Sequence, residues 1–197
     1  MEKNKLVYLP VTGIKDDMSD LGYVVYYIVS AEERRDGEQL VGLNPCAEIA
    51  LRSAQLCNLS EVVARENDTK EDLLRKVRIA TILGTLQATL TDFKYVRSVW
   101  RKNCEEERLL GVSLTGIQDC KLLRNPDPQL LEDMKAHAVD INREYAGILG
   151  INSAAAITTV KPSGTVSQLV DSSSGIHGRF APYYIRRVRQ ANHDPLT

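Results

Sequence analysis

The chain has 197 residues, of which 43% are hydrophobic and 26% are charged. This composition is typical of one medium-sized globular domain, and it excludes a disordered tail, a collagen-like repeat and a disulfide-dense mini-protein. The formal net charge is -1. A general binder of nucleic acid or of anionic membranes is therefore not favoured, because such proteins usually carry an excess of basic residues.

The four cysteines are Cys46, Cys57, Cys104 and Cys120. No apolar signal segment follows Met1 and no membrane-length apolar run occurs, which predicts a cytoplasmic protein. Structural disulfides are rare in that compartment. Because the sequence also contains no Cys-x-x-Cys pair, a zinc site is not favoured, and a reactive cysteine is expected to be catalytic or redox-active.

The first half of the chain predicts extended segments and one long helix. Residues 23–29 are rich in β-branched and aromatic side chains, which favours a strand, and short extended pieces are predicted at 48–52 and 55–59. A helix is predicted over 69–93, with Asp68 or Thr69 as its N-cap. Its apolar residues recur at a spacing of three to four and form a wide stripe, so the helix is predicted to be largely buried.

The second half continues the alternation of strands and helices. Residues 109–114 predict a buried strand, and 154–160 predict another. Between them, Asp127 and Pro128 predict the start of a second helix, and Gly150 predicts its end. The order strand, helix, strand, helix, strand is typical of the α/β class with a mostly parallel sheet or barrel, and no linker divides the chain.

A proline turn carries the first candidate site. In extended geometry the side chains of Asn44, Cys46 and Glu48 point to one face. A nearby negative charge opposes ionisation of a thiol, so this trio suits chemistry in which the sulfur acts neutrally, Glu48 shuttles a proton and Asn44 donates hydrogen bonds. The alternative is a small buried cysteine in a turn. Cys57 is either a second redox thiol facing the same pocket or a core residue between leucines.

A second candidate site is the turn at 161–167. Ser163, Thr165 and Ser167 offer hydroxyl groups, and Gly164 lets a ligand approach the backbone. If a helix begins here, its first N–H groups would favour a substrate phosphate. The order of glycine and lysine differs from that of a P-loop, and an ordinary strand-to-helix turn is the alternative.

Five segments in order resemble the ribonucleotide reductases, and most closely the adenosylcobalamin-dependent (class II) ribonucleoside-triphosphate reductases. They are NPCAE at 44–48, LRSAQLCNLSEV at 51–62, EEERLLGVSLTG at 105–116, TVKPSGTVS at 159–167, and SGIH at 174–177 followed by PYYIRR at 182–187. The resemblance covers about residues 40 to 197. It implies that 41–197 form one domain, a C-terminal-half fragment of the ten-stranded α/β barrel of these enzymes, while 1–40 remain unassigned.

The resemblance also implies a role for each candidate residue. Cys46 would become the thiyl radical that abstracts the 3′-hydrogen of the ribose. Asn44 and Glu48 would bind the sugar hydroxyls, with Glu48 as the general base, and Cys57 would be half of the cysteine pair that reduces the sugar. The residues implied to hold the substrate phosphates are Ser163, Gly164, Thr165 and Ser167. The product would be a 2′-deoxyribonucleotide for DNA synthesis.

The implied cofactor is adenosylcobalamin, the substrate a ribonucleoside di- or triphosphate, and the reductant of thioredoxin type, with no membrane or direct nucleic-acid partner. The half-barrel that carries the partner of Cys57 is not matched, the terminal reducing cysteine pair is absent, and Gly178 stands where proline is expected. We therefore expect the chain to be inactive alone and to need a complementing N-terminal reductase polypeptide. Its open strand edges should make it dimerise, aggregate or pair with that half. The alternatives are a non-catalytic remnant or assembly subunit, and another α/β phosphate-binding enzyme.

Overall fold

The computed structural model describes residues 42–46, 48–185, 187 and 189–195. The strand predicted at 23–29 lies outside these residues. The strands are β1 (Gly42–Leu43), β2 (Ala50–Leu51), β3 (Asn58–Val63) and β4 (Leu110–Thr115). The helices are α1 (Lys70–Gln87), α2 (Ser98–Glu107), α3 (Lys121–Arg124), α4 (Pro128–Leu149) and α5 (Thr165–Leu169).

A parallel pair of strands forms the centre of the fold. β3 pairs with β4 in register from Asn58 opposite Leu110 to Val63 opposite Thr115. Because parallel neighbours need a crossover connection, the chain passes through α1 and α2 between them. This confirms the predicted α/β class, with a small parallel sheet in the described residues, whereas the ten-stranded barrel stays a prediction. A separate antiparallel hairpin of β1 and β2 carries the 44–49 loop.

The core lies where α1 and α4 pack together beside this sheet. Leu73 and Val77 of α1 and Met134 and Ala138 of α4 are buried in one apolar cluster with residues of both strands. Deeper in the helix pair, the amide of Asn142 donates to the Thr85 hydroxyl at 3.0 Å and accepts from the Ala154 N–H at 2.9 Å. This buried amide therefore ties α4 to α1 and to the segment that leads back to the sheet.

The helix ends follow their local signals. Thr69 and Asp72 form a capping box at the start of α1. Asp127 caps α4, Pro128 is its first residue, and Gly150 ends it in the left-handed conformation, as predicted. The prediction that α1 continues to residue 93 is wrong, because α1 ends at Gln87.

The wide buried stripe predicted for α1 is also wrong. Only one face is covered, by the sheet and α4, whereas four large apolar side chains on or just beyond the helix remain exposed by 44% to 72%: Ile79, Leu83, Leu86 and Leu90. None of the helices in the described part of the chain has the length and apolar character needed to span a membrane.

The strand predicted at 154–160 is reduced to one bridge, between Thr158 and Val112. The Leu110 N–H donates to the Ala156 carbonyl at 2.9 Å, whereas the Val112 N–H donates to the Ile157 carbonyl at 2.8 Å. Two residues along β4 therefore correspond to only one along the neighbouring segment. A regular ladder of hydrogen bonds needs the same number of residues on both strands. This segment therefore runs beside β4 without becoming a third strand of the sheet.

Candidate active site

The hairpin loop between β1 and β2 presents Cys46 at its tip. The Asn44 N–H donates to the Ile49 carbonyl at 3.0 Å, and the Ile49 N–H donates to the Asn44 side-chain oxygen at 3.1 Å. These two bonds close the loop, and Pro45 and Cys46 are exposed within it. The carbonyl oxygen of the Asn44 side chain thus braces the loop, and the predicted hydrogen bonding of Asn44 to a sugar stays a prediction.

Cys46 and Glu48 converge on one cation, the ammonium of Lys161. Lys161 Nζ lies 3.3 Å from Glu48 Oε1 and 3.6 Å from Cys46 Sγ. The Glu48 side chain is only 5% exposed. Its second oxygen, Oε2, is buried and has no hydrogen-bond partner among the described residues. The structure therefore brings together the thiol and the carboxylate that the sequence predicted to share one face.

The backbone of Lys161 is fixed by the end of the sheet. Its N–H donates to the Ser113 hydroxyl on β4 at 2.8 Å. Partial burial acts to lower the pKa of Lys161, but the carboxylate of Glu48, followed by the sulfur of Cys46, outweighs it and raises that pKa above its ordinary value. Lys161 is therefore held as a cation beside both groups.

Cys57 lies near the same part of the sheet. A Cβ added at Gly111 of β4 would stand 3.4 Å from Cys57 Sγ and 3.1 Å from Thr159 Cγ2. The Thr159 hydroxyl in turn donates to the Glu48 backbone carbonyl at 3.1 Å. Cys57 is half-buried, and none of the four cysteines forms a disulfide. The predicted redox role of Cys57 stays a prediction.

The predicted phosphate turn leads directly into α5, which has only five residues. Gly164 and Thr165 are exposed, whereas Ser163 and Ser167 are buried. The Ser163 hydroxyl donates to Glu61 Oε2 at 2.8 Å, and the Ser167 hydroxyl donates to the Gly164 carbonyl at 2.6 Å. Both serine hydroxyls thus donate within the protein, and phosphate binding by this turn stays a prediction.

Glu61 should make stability fall as pH rises. Burial raises the pKa of this carboxyl despite the opposing effects of the Ser163 hydroxyl and of Lys161. The folded state therefore holds a proton that the unfolded state has released, so stability is full below pH 4.5 and is lost as pH rises through the raised pKa. We expect Glu61→Gln to flatten this loss, by a few degrees in melting midpoint, when melting is followed from pH 4 to pH 8.

The matched control for Glu61 is Glu66→Gln, which changes an exposed carboxylate paired with Lys121. It should leave the pH profile of the melting midpoint close to that of the unaltered chain. Identical pH profiles for Glu61→Gln and the unaltered chain would contradict the prediction.

Sequence reasoning missed three contributors to this region: Lys161, Glu61 and Arg179. Lys161 stands within the TVKPSGTVS segment, but its contact with Glu48 spans 113 residues and has no local signal. Arg179 pairs with Asp171 at 2.8 Å and with Asp119 at 3.1 Å. This double pair holds the loop after α5 against the segment that follows β4.

Comparisons with known proteins identify relatives of this chain. No protein-family model matches the chain. Adenosylcobalamin-dependent ribonucleoside-triphosphate reductases are similar to it: that of Lactobacillus delbrueckii subsp. bulgaricus (strain ATCC BAA-365 / Lb-18) is 32% identical over 188 residues, covering 82% of this chain and 25% of the relative. The enzyme of Lacticaseibacillus paracasei (strain ATCC 334) is 31% identical over 199 residues, covering 86% and 26%.

A solved structure gives the same result. The crystal structure of a B12-dependent (class II) ribonucleotide reductase matches with a TM-score of 0.56 and 26% identity, over 70% of this chain and 23% of the other. The chain spans about a quarter of the length of the curated relatives that it matches. It is therefore homologous, over a fragment-sized region, to the adenosylcobalamin-dependent class II ribonucleotide reductases.

Proposed function

We propose that this chain is part of the catalytic barrel of a ribonucleotide reductase and forms 2′-deoxyribonucleotides together with a complementing polypeptide. The observation that carries the proposal is the convergence of Cys46 and Glu48 on Lys161 at the tip of a hairpin loop. An exposed sulfur beside a buried carboxylate suits radical chemistry, because a thiyl radical is neutral and tolerates the neighbouring charge. The homology supports the same reading.

The proposed cofactor is adenosylcobalamin, which when bound supplies the radical. Cys46 fits such a cofactor because its sulfur is exposed at the loop tip and can be reached without opening the core. Among the described residues, Cys46 is the one that we assign to face it. A dry, oriented pocket is the contribution of the protein in this kind of chemistry.

Each candidate residue has its own role in the reduction of the ribose. As a thiyl radical, Cys46 takes the 3′-hydrogen of the ribose and becomes a thiol, while Glu48 accepts the proton of the 3′-hydroxyl. Both hydrogens are returned to the sugar before the product leaves, which restores the Cys46 radical. Cys57 and a thiol of the complementing polypeptide supply two electrons as the 2′-hydroxyl leaves as water, and these two sulfurs end as a disulfide. We propose that a thioredoxin-type reductant restores the thiols in the cytoplasm. The turn from Ser163 to Ser167 holds the phosphates of the di- or triphosphate substrate.

A reconstitution assay tests this function. The isolated chain should form no deoxynucleotide from ribonucleoside triphosphates with adenosylcobalamin and a dithiol, because it corresponds to only about a quarter of the length of the reductases that it matches. Addition of an N-terminal reductase polypeptide should start product formation, measured by chromatography of the nucleosides, while that polypeptide alone stays inactive.

Two results would contradict the proposal. Turnover by the isolated chain would show that no complementing half is needed. Absence of turnover in every combination, despite formation of a stable complex, would favour a non-catalytic assembly subunit.

A further inference from the structure

Lys161 contacts two residues of the proposed site, although the proposed chemistry gives it no role. Its ammonium contacts both Glu48 Oε1 and Cys46 Sγ. Its backbone N–H donates to the Ser113 hydroxyl, and the backbone of Gly175 passes so close to its carbonyl oxygen that an added Cβ would lie 2.7 Å away. The root of this side chain is therefore fixed to the sheet and lies directly against the loop after α5.

The two oxygens of Glu48 are in different situations. Oε1 is paired with Lys161, whereas Oε2 is buried and unpartnered among the described residues. Burying a carboxylate is unfavourable unless a cation and hydrogen bonds compensate it. Lys161 supplies that compensation on one oxygen only, so the other keeps its full capacity to accept a hydrogen bond.

We infer that Lys161 is a positioning residue of the proposed reductase site. It holds the Glu48 carboxylate beside the Cys46 sulfur through Oε1 and leaves Oε2 to accept the hydrogen bond of a substrate hydroxyl. This inference rests on the proposed function and adds to it a third residue that acts through Glu48. Lys161 precedes the four residues assigned to the phosphates, and its ammonium contacts Glu48 and Cys46 instead.

The contact is first tested in the isolated 197-residue chain by competitive acetylation of lysines with trace acetic anhydride. Lys161 should react several-fold more slowly than Lys94, which is exposed and only loosely paired with Asp92. Glu48→Gln should raise the rate at Lys161 several-fold and leave Lys94 unchanged. The matched control is Glu66→Gln, because Glu66 pairs with Lys121. It should raise the acetylation rate at Lys121 and leave the rate at Lys161 unchanged. An unchanged rate at Lys161 in Glu48→Gln would overturn the inference.

A second measurement tests the contact between Lys161 and Cys46 through the reactivity of the Cys46 sulfur. An anionic reagent, iodoacetate, and a neutral one, iodoacetamide, are compared at Cys46 by peptide mass spectrometry. Because an adjacent ammonium attracts the anionic reagent, Lys161→Met should lower the iodoacetate-to-iodoacetamide rate ratio several-fold. Lys161→Arg should keep most of this ratio and Lys94→Met all of it. An equal ratio in Lys161→Met and the unaltered chain would overturn the inference.

The positioning role is then read in the reconstituted enzyme. Lys161→Met should lower kcat by about tenfold or more, because the Glu48 carboxylate loses its orientation. KM should change little, because the substrate keeps its binding site. Lys161→Arg should restore part of kcat, which a merely misfolded site would not show. Full activity of Lys161→Met would overturn the inference. If the unaltered complex shows no turnover, the proposed function fails, and the two chemical measurements still decide whether Lys161 holds Glu48 and Cys46.

Discussion

Cys46→Ser is expected to abolish deoxynucleotide formation in the reconstituted reductase and to leave nucleotide binding nearly unchanged. Serine preserves the size of the side chain, but its O–H bond is too strong for the oxygen to take part in hydrogen-atom transfer. Cys46 is exposed at the loop tip, so the exchange removes little packing. Product formation is measured by chromatography, and binding of a ribonucleoside triphosphate by calorimetry.

The matched control for Cys46 is Cys104→Ala. Cys104 is buried in α2, and burial raises the pKa of its thiol, so it is a structural sulfur rather than a reactive one. This variant should retain turnover when assayed well below its melting temperature. Substantial deoxynucleotide formation by Cys46→Ser would remove Cys46 from the proposed chemistry.

Gly175→Ala is expected to destabilise the candidate site by about 2–4 kcal/mol, because alanine is disfavoured in the left-handed region and meets a fixed backbone. Gly175 has a φ of +56°, and its added Cβ would lie 2.7 Å from the Lys161 carbonyl oxygen. The Gly175 N–H also donates to the Thr115 hydroxyl at 2.9 Å. Urea unfolding measures the global effect, and hydrogen exchange at Lys161 and Gly175 measures local opening.

Gly178→Ala is the matched control, since a Cβ at Gly178 meets nothing within 4 Å. It should leave both measurements close to those of the unaltered chain. Equal stability and equal exchange in Gly175→Ala and Gly178→Ala would show that the close approach to Lys161 is not a constraint.

The parts of the fold that the sequence predicted are those with local causes. The capping box of Thr69 and the Asp127, Pro128 and Gly150 boundaries of α4 each depend on a few neighbouring residues. Helix α2 was missed because its N-cap, Arg97, makes no side-chain capping bond. The incomplete strand at 154–160 depends on a mismatch of step against β4, which apolar composition does not reveal.

The residues of the candidate site also differ in whether a local sequence signal predicts them. Alternation along an extended chain predicted that Cys46 and Glu48 share one face, but these residues lie in a closed hairpin loop, and they meet through their common contact with Lys161. The third member, Lys161, reaches them only through the folded sheet, and hydrophobic periodicity says nothing about such a pair. The prediction that α1 is buried over a wide stripe failed for a related reason. A hydrophobic pattern shows which residues could be buried, but it does not show which other elements cover them.

The parallel pair β3–β4 has a consequence for how this chain behaves in solution. In the described part of the chain, β3 has no strand on its far edge, and such an edge presents unpaired backbone N–H and C=O groups that another strand can bind. If another polypeptide supplies that strand, folding and assembly become one linked equilibrium. The apparent melting temperature would then rise with the concentration of the second polypeptide, and dilution alone would unfold the pair.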